Sequence, residues 1–438
     1  MKLPHTIAIS VLLLSAALAT PLAQPPGSPG QARVKAFTGA RVIDGTDRPP
    51  MDNATIVVSD GKIVTVAPAA RAQVPANAER VSLAGKTVMP GIVNAHGHVG
   101  NTVGMEQGHY SAENVQRDLK TYAAYGVTTV FSLGDDQAAG IRARDSQRTP
   151  SLDRARLFVA GPVLAPKDVD EARKLVDENV AMKVDIIKIR VDDNLGATPK
   201  MKPEIYKAII DEAHRKNLRV IAHIFYLADA KDLVKSGVDG LMHSVRDKEV
   251  DDEFLQLLRQ HPGVFVTPNL GITSRAMDAG RPAWLDDPLL HETIPAGEIK
   301  RLEMQFANRR PEQLANTRAS WDLQVRNLAK MRAAGARIVL GSDSAGDPGR
   351  TMGWHALWEL DALAKAGMTP SEVIVASTRL AAETLRLDQL GMVMPGKSAD
   401  FVVLNANPLE NIANTRKIDR VYLRGEEVDR AALRRKFK

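Results

Sequence analysis

The stretch MPGIVNAHGHVG, residues 89–100, sets two histidines, His96 and His98, around a single glycine at the end of an apolar run. On a strand, side chains two apart leave the same face, so this spacing aims both imidazoles at one point. The stretch also divides the chain. Before it, residues 34–88 hold short β-rich segments at 40–43, 55–58, 63–67 and 87–88, with a hairpin turn at Ser59-Asp60-Gly61-Lys62. From residue 89 onward, apolar strand-like runs alternate with helical stretches, the pattern of βα units on a parallel sheet.

Eight such runs qualify: 91–95, 127–133, 157–163, 185–191, 219–224, 240–243, 264–268 and 337–341. With helical segments at 169–183, 203–216 and 228–236 between them, they predict an α/β chain folded as a (β/α)8 TIM barrel, a doubly wound open sheet being the alternative. Residues 271–322 are long, rich in charge and hold Trp284, so they read as an insertion over one barrel face. Thr369-Pro370-Ser371-Glu372 offers an N-cap, a proline at the first helical position and a glutamate at the third, the pattern of a capping box. β-type sequence returns at 391–395, 400–404 and 420–423. Two β-rich flanks around one barrel predict a discontinuous small β-domain whose halves meet in space. The expected division is a signal peptide at 1–23, a linker at 24–33, β-domain halves at 34–88 and 389–438, and the barrel at 89–388.

Over 438 residues, 44% hydrophobic and 25% charged composition excludes a disordered or fibrous chain. A net charge of +6 is spread along the sequence and leaves no nucleic-acid footprint. The run Arg434-Arg435-Lys436-Phe437-Lys438 reads as a solvated tail. There is no cysteine, so disulfides, thiolate ligands and a thiol nucleophile are excluded together, and a metal site has to use histidines, carboxylates and unusual ligands. Lys2 precedes an uncharged apolar run at 7–19 that ends in Ala17-Leu18-Ala19, with a second small-residue site at Ala23. This is the pattern of a cleavable export signal, too short for the roughly 18–20 residues that span a bilayer. The expectation is a periplasmic or secreted chain starting near Thr20 or Gln24, without a stable membrane anchor. No repeat or coiled coil fixes an oligomeric state, and a homo-oligomer stays open.

His-x-His alone is a weak signal; the other strands strengthen it. Lys188 lies inside the apolar strand at 185–191, His223 and His243 close two others, and Asp343 follows the eighth. Burying so many ionisable groups without partners is costly, so they read as one convergent site at the strand ends, where barrel active sites lie. Four histidines and an aspartate exceed the three or four protein ligands of a single zinc, which makes two metals the natural count. A lysine joins them only as an anion, and reaction with carbon dioxide to a carbamate supplies two bridging oxygens.

These segments resemble the amidohydrolase superfamily, in particular its prolidase and imidazolonepropionase-like branch, over nearly the whole chain. KTVMPGIVNAHGHVG looks like the first-strand motif, DIIKI the lysine strand, RVIAH and GVDGLMHS the two later histidine strands, and IVLGSDS the aspartate strand. LGMVMPGKSADFVVLNANPL looks like the return into a small β-sandwich. The resemblance implies His96, His98 and Asp343 on a more buried metal, His223 and His243 on a second, carboxylated Lys188 between them, and zinc as the usual metal. Asn94 departs from the pattern, since many members carry an acid there.

The expected reaction is hydrolysis of a carbon–nitrogen bond in a small amide or peptide, such as a dipeptide, an N-acyl amino acid or a cyclic amide. Hydroxide bridging two cations attacks, and Asp343 carries its proton to the leaving amine. Tyr226 is a candidate oxyanion donor, beside the plainer reading of a tyrosine packed on the barrel rim. Arg190 and Arg246 are candidate contacts for a substrate carboxylate, beside ordinary ion pairs. His109 is read as a loop residue and His355 with Glu359 as a helix-face pair. Ester, lactone or organophosphate cleavage at the same site and a non-catalytic exported scaffold are the competing readings.

Overall fold

A computed structural model describes residues 33–193, 195–307, 309–346 and 349–437. The expected signal and all but the last residue of the linker lie outside the described residues. Five strands open the chain: β1 (Val34–Val42), β2 (Met51–Ser59), β3 (Lys62–Pro68), β4 (Glu79–Ser82) and β5 (Thr87–Pro90). Eight more follow from the histidine stretch onward: β6 (Ile92–Gly97), β7 (Val127–Ser132), β8 (Arg156–Val159), β9 (Ile187–Arg190), β10 (Val220–His223), β11 (Gly240–Met242), β12 (Phe265–Thr267) and β13 (Arg337–Ile338). The chain ends with β14 (Phe401–Leu404), β15 (Ile418–Leu423) and β16 (Glu426–Glu427).

The first five strands and the last three form one mixed sheet, ordered β16-β15-β14-β5-β1-β2-β3 with β4 beside β1. Chain ends far apart in sequence therefore meet, as expected. The β2–β3 turn needs two residues at positive φ, which Asp60 (φ 50) and Gly61 (φ 77) provide. One core gathers Phe37, Ile56, Val88, Phe401 and Tyr422, with Phe37 edge-on to Phe401 at 5.0 Å. β4 escaped the sequence reading because it is short and largely exposed, without apolar alternation. Residues 391–395, read as a strand, form a turn region instead. Proline at 395 has no N–H to donate, and glycines at 391 and 396 take positive φ.

β6 to β13 are parallel and lie in two ladders, β6-β7-β8 and β13-β12-β11-β10-β9. Both faces are buried: Val220 and Ala222 pack with the helices, while Ile221, Met242, Phe265 and Val339 share a separate cluster. Burial on both faces explains the near-continuous hydrophobic runs in the sequence. Helices Val169–Ala181, Pro203–Arg215 and Leu227–Lys235 fall where expected. The capping box at Thr369 is present, with Thr369 Oγ1 accepting from Glu372 N and Glu372 Oε2 accepting from Thr369 N at 2.7 Å. A buried ion pair, Arg156–Asp400, ties β8 to the mixed sheet.

The run read as a solvated tail follows a docked segment. Residues from Arg430 form a helix whose Arg430 is buried, donating to Ala124 O at 2.8 Å and to Glu292 at 2.9 Å, with Arg434 also on Glu292 at 2.6 Å. A carboxylate from the distant insertion, invisible in the local sequence, holds Arg430 and Arg434, while Arg435 stays exposed.

Candidate metal centre

Because β6 to β13 are parallel, their C-terminal ends share one end of the layer, and the candidate ligands collect there. The register irregularity between Asn94 and Gly97 marks where β6 leaves its ladder. From there the chain pairs with the segment after β13: Ala95 N donates to Leu340 O at 2.9 Å and Asp343 N to His96 O at 2.7 Å. Buried Asn94 stitches the same seam, donating to Ser342 Oγ at 2.8 Å and accepting from Ser342 N at 3.0 Å. An acid could accept in this place but could not donate, so the amide suits its partners here. Tyr122 Oη donates to His98 O at 3.2 Å, and Asp118 accepts from Gly100 N at 2.7 Å, which fixes the backbone on either side of the second histidine.

Glycine between the histidines is a steric requirement. A Cβ at residue 97 would meet Tyr122 Oη and Val130 Cγ2 at 2.8 Å. His243 (φ 72) and Asp343 (φ 54) both sit in the left-handed region, which costs a side chain about 1–3 kcal/mol and is held by surrounding bonds such as His243 N to Thr267 O at 2.8 Å.

His96, His98 and Asp343 offer ligand atoms that all lie within 4.8 Å of one another. Asp343 Oδ1 faces His98 Nε2 at 3.0 Å and His96 Nε2 at 3.3 Å, while its Oδ2 accepts from Arg350. Burial alone would raise the Asp343 carboxyl; the Arg350 guanidinium and the two imidazoles hold it well below the usual carboxylate range. His243 packs on His96 at 5.1 Å between ring centroids and on His223 at 4.1 Å. Burial holds His96 and His243 well below the ordinary histidine value, so both stand as neutral imidazoles, the form that binds cations. His223 is turned toward Asp192, 3.1 Å from its Oδ2.

Lys188 is fully enclosed, its Nζ has no hydrogen-bond partner, and burial pushes its amine down to about 7. His96 Nδ1 is likewise buried without a partner. Orphaned buried polar atoms are rare in proteins, and neutral imidazoles, a carboxylate and an amine whose charged form burial disfavours make a donor set that fits divalent cations. These groups open onto a cavity of about 600 Å³, walled also by Leu133, Val163, Phe225 and Ile272.

Residues 87–428 match the amidohydrolase family. The chain belongs to that family. It is 25% identical to ochratoxinase of Aspergillus niger over 88% of this chain and 84% of that protein. It is 23% identical to imidazolonepropionase of Streptomyces avermitilis over 86% of this chain and 87% of that one. A crystal structure of a Bifidobacterium longum protein, provisionally assigned as a prolidase, superposes with a TM-score of 0.73 at 26% identity, covering 92% of this chain and 98% of the other. The protein is thus a hydrolase acting on carbon–nitrogen bonds, from a family that is generally metal-dependent.

Within this amidohydrolase the other sequence-predicted residues are distributed unevenly. Arg246 lines the cavity, donating one nitrogen to Ile224 O at 3.1 Å while its Nε is buried without a partner. Arg190 also lines it and is tied to Asp192 at 2.8 Å. Tyr226 does not line it: its hydroxyl donates to Asp193 at 2.9 Å and Lys200 lies over its ring, because the residue starts the helix Leu227–Lys235. The rim reading replaces the oxyanion reading. His109 is a loop residue beside Glu106 at 3.6 Å. His355 and Glu359 are not a pair, since Glu359 accepts from Leu270 N and Gly271 N and both ring nitrogens of His355 lack partners.

Asp192 and Arg350 escaped the sequence reading. Asp192 continues the alternation of Lys188 and Arg190, a signal that was present. Arg350 comes from a loop seven residues past Asp343, where no periodicity points to the site.

Proposed function

We propose that this chain hydrolyses an amide bond of a small carboxylate-bearing molecule, such as an N-acyl amino acid or a dipeptide, with two divalent cations, zinc as the first candidate, held at the strand ends. The carrying observation is the His96–His98–Asp343 group, whose ligand atoms fall within 4.8 Å, beside the orphaned amine of Lys188. His96, His98 and Asp343 would hold one cation, His223 and His243 the other, and Lys188 as its carbamate would join the two sets. Cations held there supply Lewis acidity and make water a competent nucleophile at neutral pH.

The chain's own groups supply the rest. Asp343, kept ionised by Arg350, accepts the proton that attacking water releases and delivers it to the departing nitrogen as the carbon–nitrogen bond breaks, leaving a carboxylic acid and an amine. Arg246 lines the cavity, and its guanidinium is the candidate partner for a substrate carboxylate. Leu133, Val163, Phe225 and Ile272 give the cavity an apolar side on which the uncharged part of a substrate can rest. A closed barrel accounts for this convergence. It is supported by parallel bridges between the two ladders at Gly97–Ser344 and Leu164–Ile189.

The test is elemental mass spectrometry of purified protein together with its intact native mass. About two metals per chain and a carbon dioxide adduct are expected, followed by turnover of N-acyl amino acids or dipeptides. No bound metal after reconstitution with zinc or manganese would overturn the reading. Export remains part of the proposal on the strength of the apolar run at 7–19; an uncleaved N-terminus from a secreting host would refute it.

A further inference from the structure

A second cavity, of about 330 Å³, lies beside the metal centre and has no part in the chemistry above. Residues 102–106 after β6, residues 293–302 of the insertion and residues 349–352 beyond β13 build it, with Arg117, Asp118 and Thr121 of the helix Ala112–Ala124 behind them. The first and third segments follow strand ends that carry candidate ligands, and the second follows β12. Its apolar wall is made by Val103, Met105, Ile294, Leu302 and Met352. The charged groups in it are paired, Arg117 with Asp118 at 2.7 Å, Arg301 with Glu298 at 3.4 Å and Arg350 with Asp343. Glu106 lies 3.9 Å from Arg301. Among the described residues, each charged group lining the cavity has a partner of opposite charge.

The position of the cavity says what fills it. Arg350 lines both cavities, and the adjacent Ala345 and Gly346 line one each, so the border between them runs beside Asp343. Arg246 stands on the other flank, beyond β11 and two strands away from β13. A substrate whose carboxylate rests on Arg246 presents its acyl side toward Asp343 and the second cavity. We infer that this cavity is the acyl-group pocket of the enzyme and selects substrates with a bulky, neutral, apolar acyl group. The inference rests on the amide-hydrolase reading for its turnover arm and on the cavity alone for its binding arm.

The experiment compares metal-loaded wild type with Met352→Trp, which fills the cavity, and Val103→Glu, which puts a charge at its mouth. Both residues are partly or largely exposed, Val103 at 40%, so the fold tolerates the changes. Turnover is measured on N-acetyl-, N-hexanoyl- and N-(4-hydroxyphenylacetyl)-alanine, and binding of 4-hydroxyphenylacetamide by calorimetry. Wild type should prefer the bulky acyl groups over acetyl by about tenfold or more in kcat/KM. Both variants should lose that preference while acetyl turnover and metal content stay within about twofold, and the amide should bind wild type alone. A preference that survives in both variants, or absence of amide binding to wild type, overturns the pocket. If wild type binds the amide, the variants do not, and none of the three alanine derivatives is cleaved, the pocket stands and the substrate reading fails.

Discussion

Replacing Gly97 by alanine tests whether the spacing of the two histidines depends on close packing beneath them. The added Cβ would meet Tyr122 Oη and Val130 Cγ2 at 2.8 Å. Comfortable carbon contacts lie near 3.5–4.0 Å, so about 0.7–1.2 Å of displacement is required. Tyr122 is fully buried and bonded to the His98 carbonyl, and Val130 is fully buried in β7, so neither can yield freely. The backbone of β6 has to move instead, carrying both imidazoles with it. Overpacking of this kind costs about 1–3 kcal/mol of stability, and a displacement of about 1 Å at a reacting centre costs on the order of 100-fold in rate. Gly263→Ala is the control, since a Cβ there meets nothing within 4 Å. Metal affinity, denaturant unfolding and turnover are measured on both variants. The reasoning fails if Gly97→Ala keeps wild-type metal affinity and activity, or if the control loses as much.

Asp343→Asn should abolish turnover while much of the metal stays bound, because His96 and His98 remain; kinetics beside elemental analysis decides this. Lys188→Ala should lose activity and the native-mass adduct, with short carboxylic acids plus metal restoring part of the rate. Arg156→Met leaves Asp400 buried without its cation, with only Arg424 N and Ser398 Oγ donating to it. It should cost about 3–5 kcal/mol by denaturant titration, whereas a surface ion-pair variant such as Lys235→Met should cost under about 1 kcal/mol. Burial pushes the Glu359 carboxyl up to about 8 from an ordinary 4.5, although two backbone N–H groups pull the other way. The folded state then binds the extra proton, so this stability is present below about pH 4.5 and is lost as pH rises through about 8. Glu359→Gln should flatten the fall in unfolding free energy between pH 5 and 8, a slope of up to ~1.4 kcal/mol per unit in wild type; an unchanged slope would assign the pH dependence elsewhere.

The sequence by itself determined the alternation of strands and helices from residue 89 onward, the two β-rich flanks and the ionisable residues that stand out at the strand ends. Strands buried on both faces must be apolar throughout, so Lys188, His223 and His243 stood out against their own runs. Turn chemistry was equally local, as at Asp60-Gly61 and the Thr369 capping box. Tertiary structure alone decided what those groups face. Arg350 reaches Asp343 from a loop, Asp192 captures His223, Asp193 holds the Tyr226 hydroxyl, and Glu292 holds Arg430 and Arg434. Each of these contacts joins segments whose meeting depends on packing, which leaves no periodicity along the chain. Strand periodicity is a short-range property of the backbone and can be read locally, whereas the partner of a buried charge is chosen by desolvation in three dimensions.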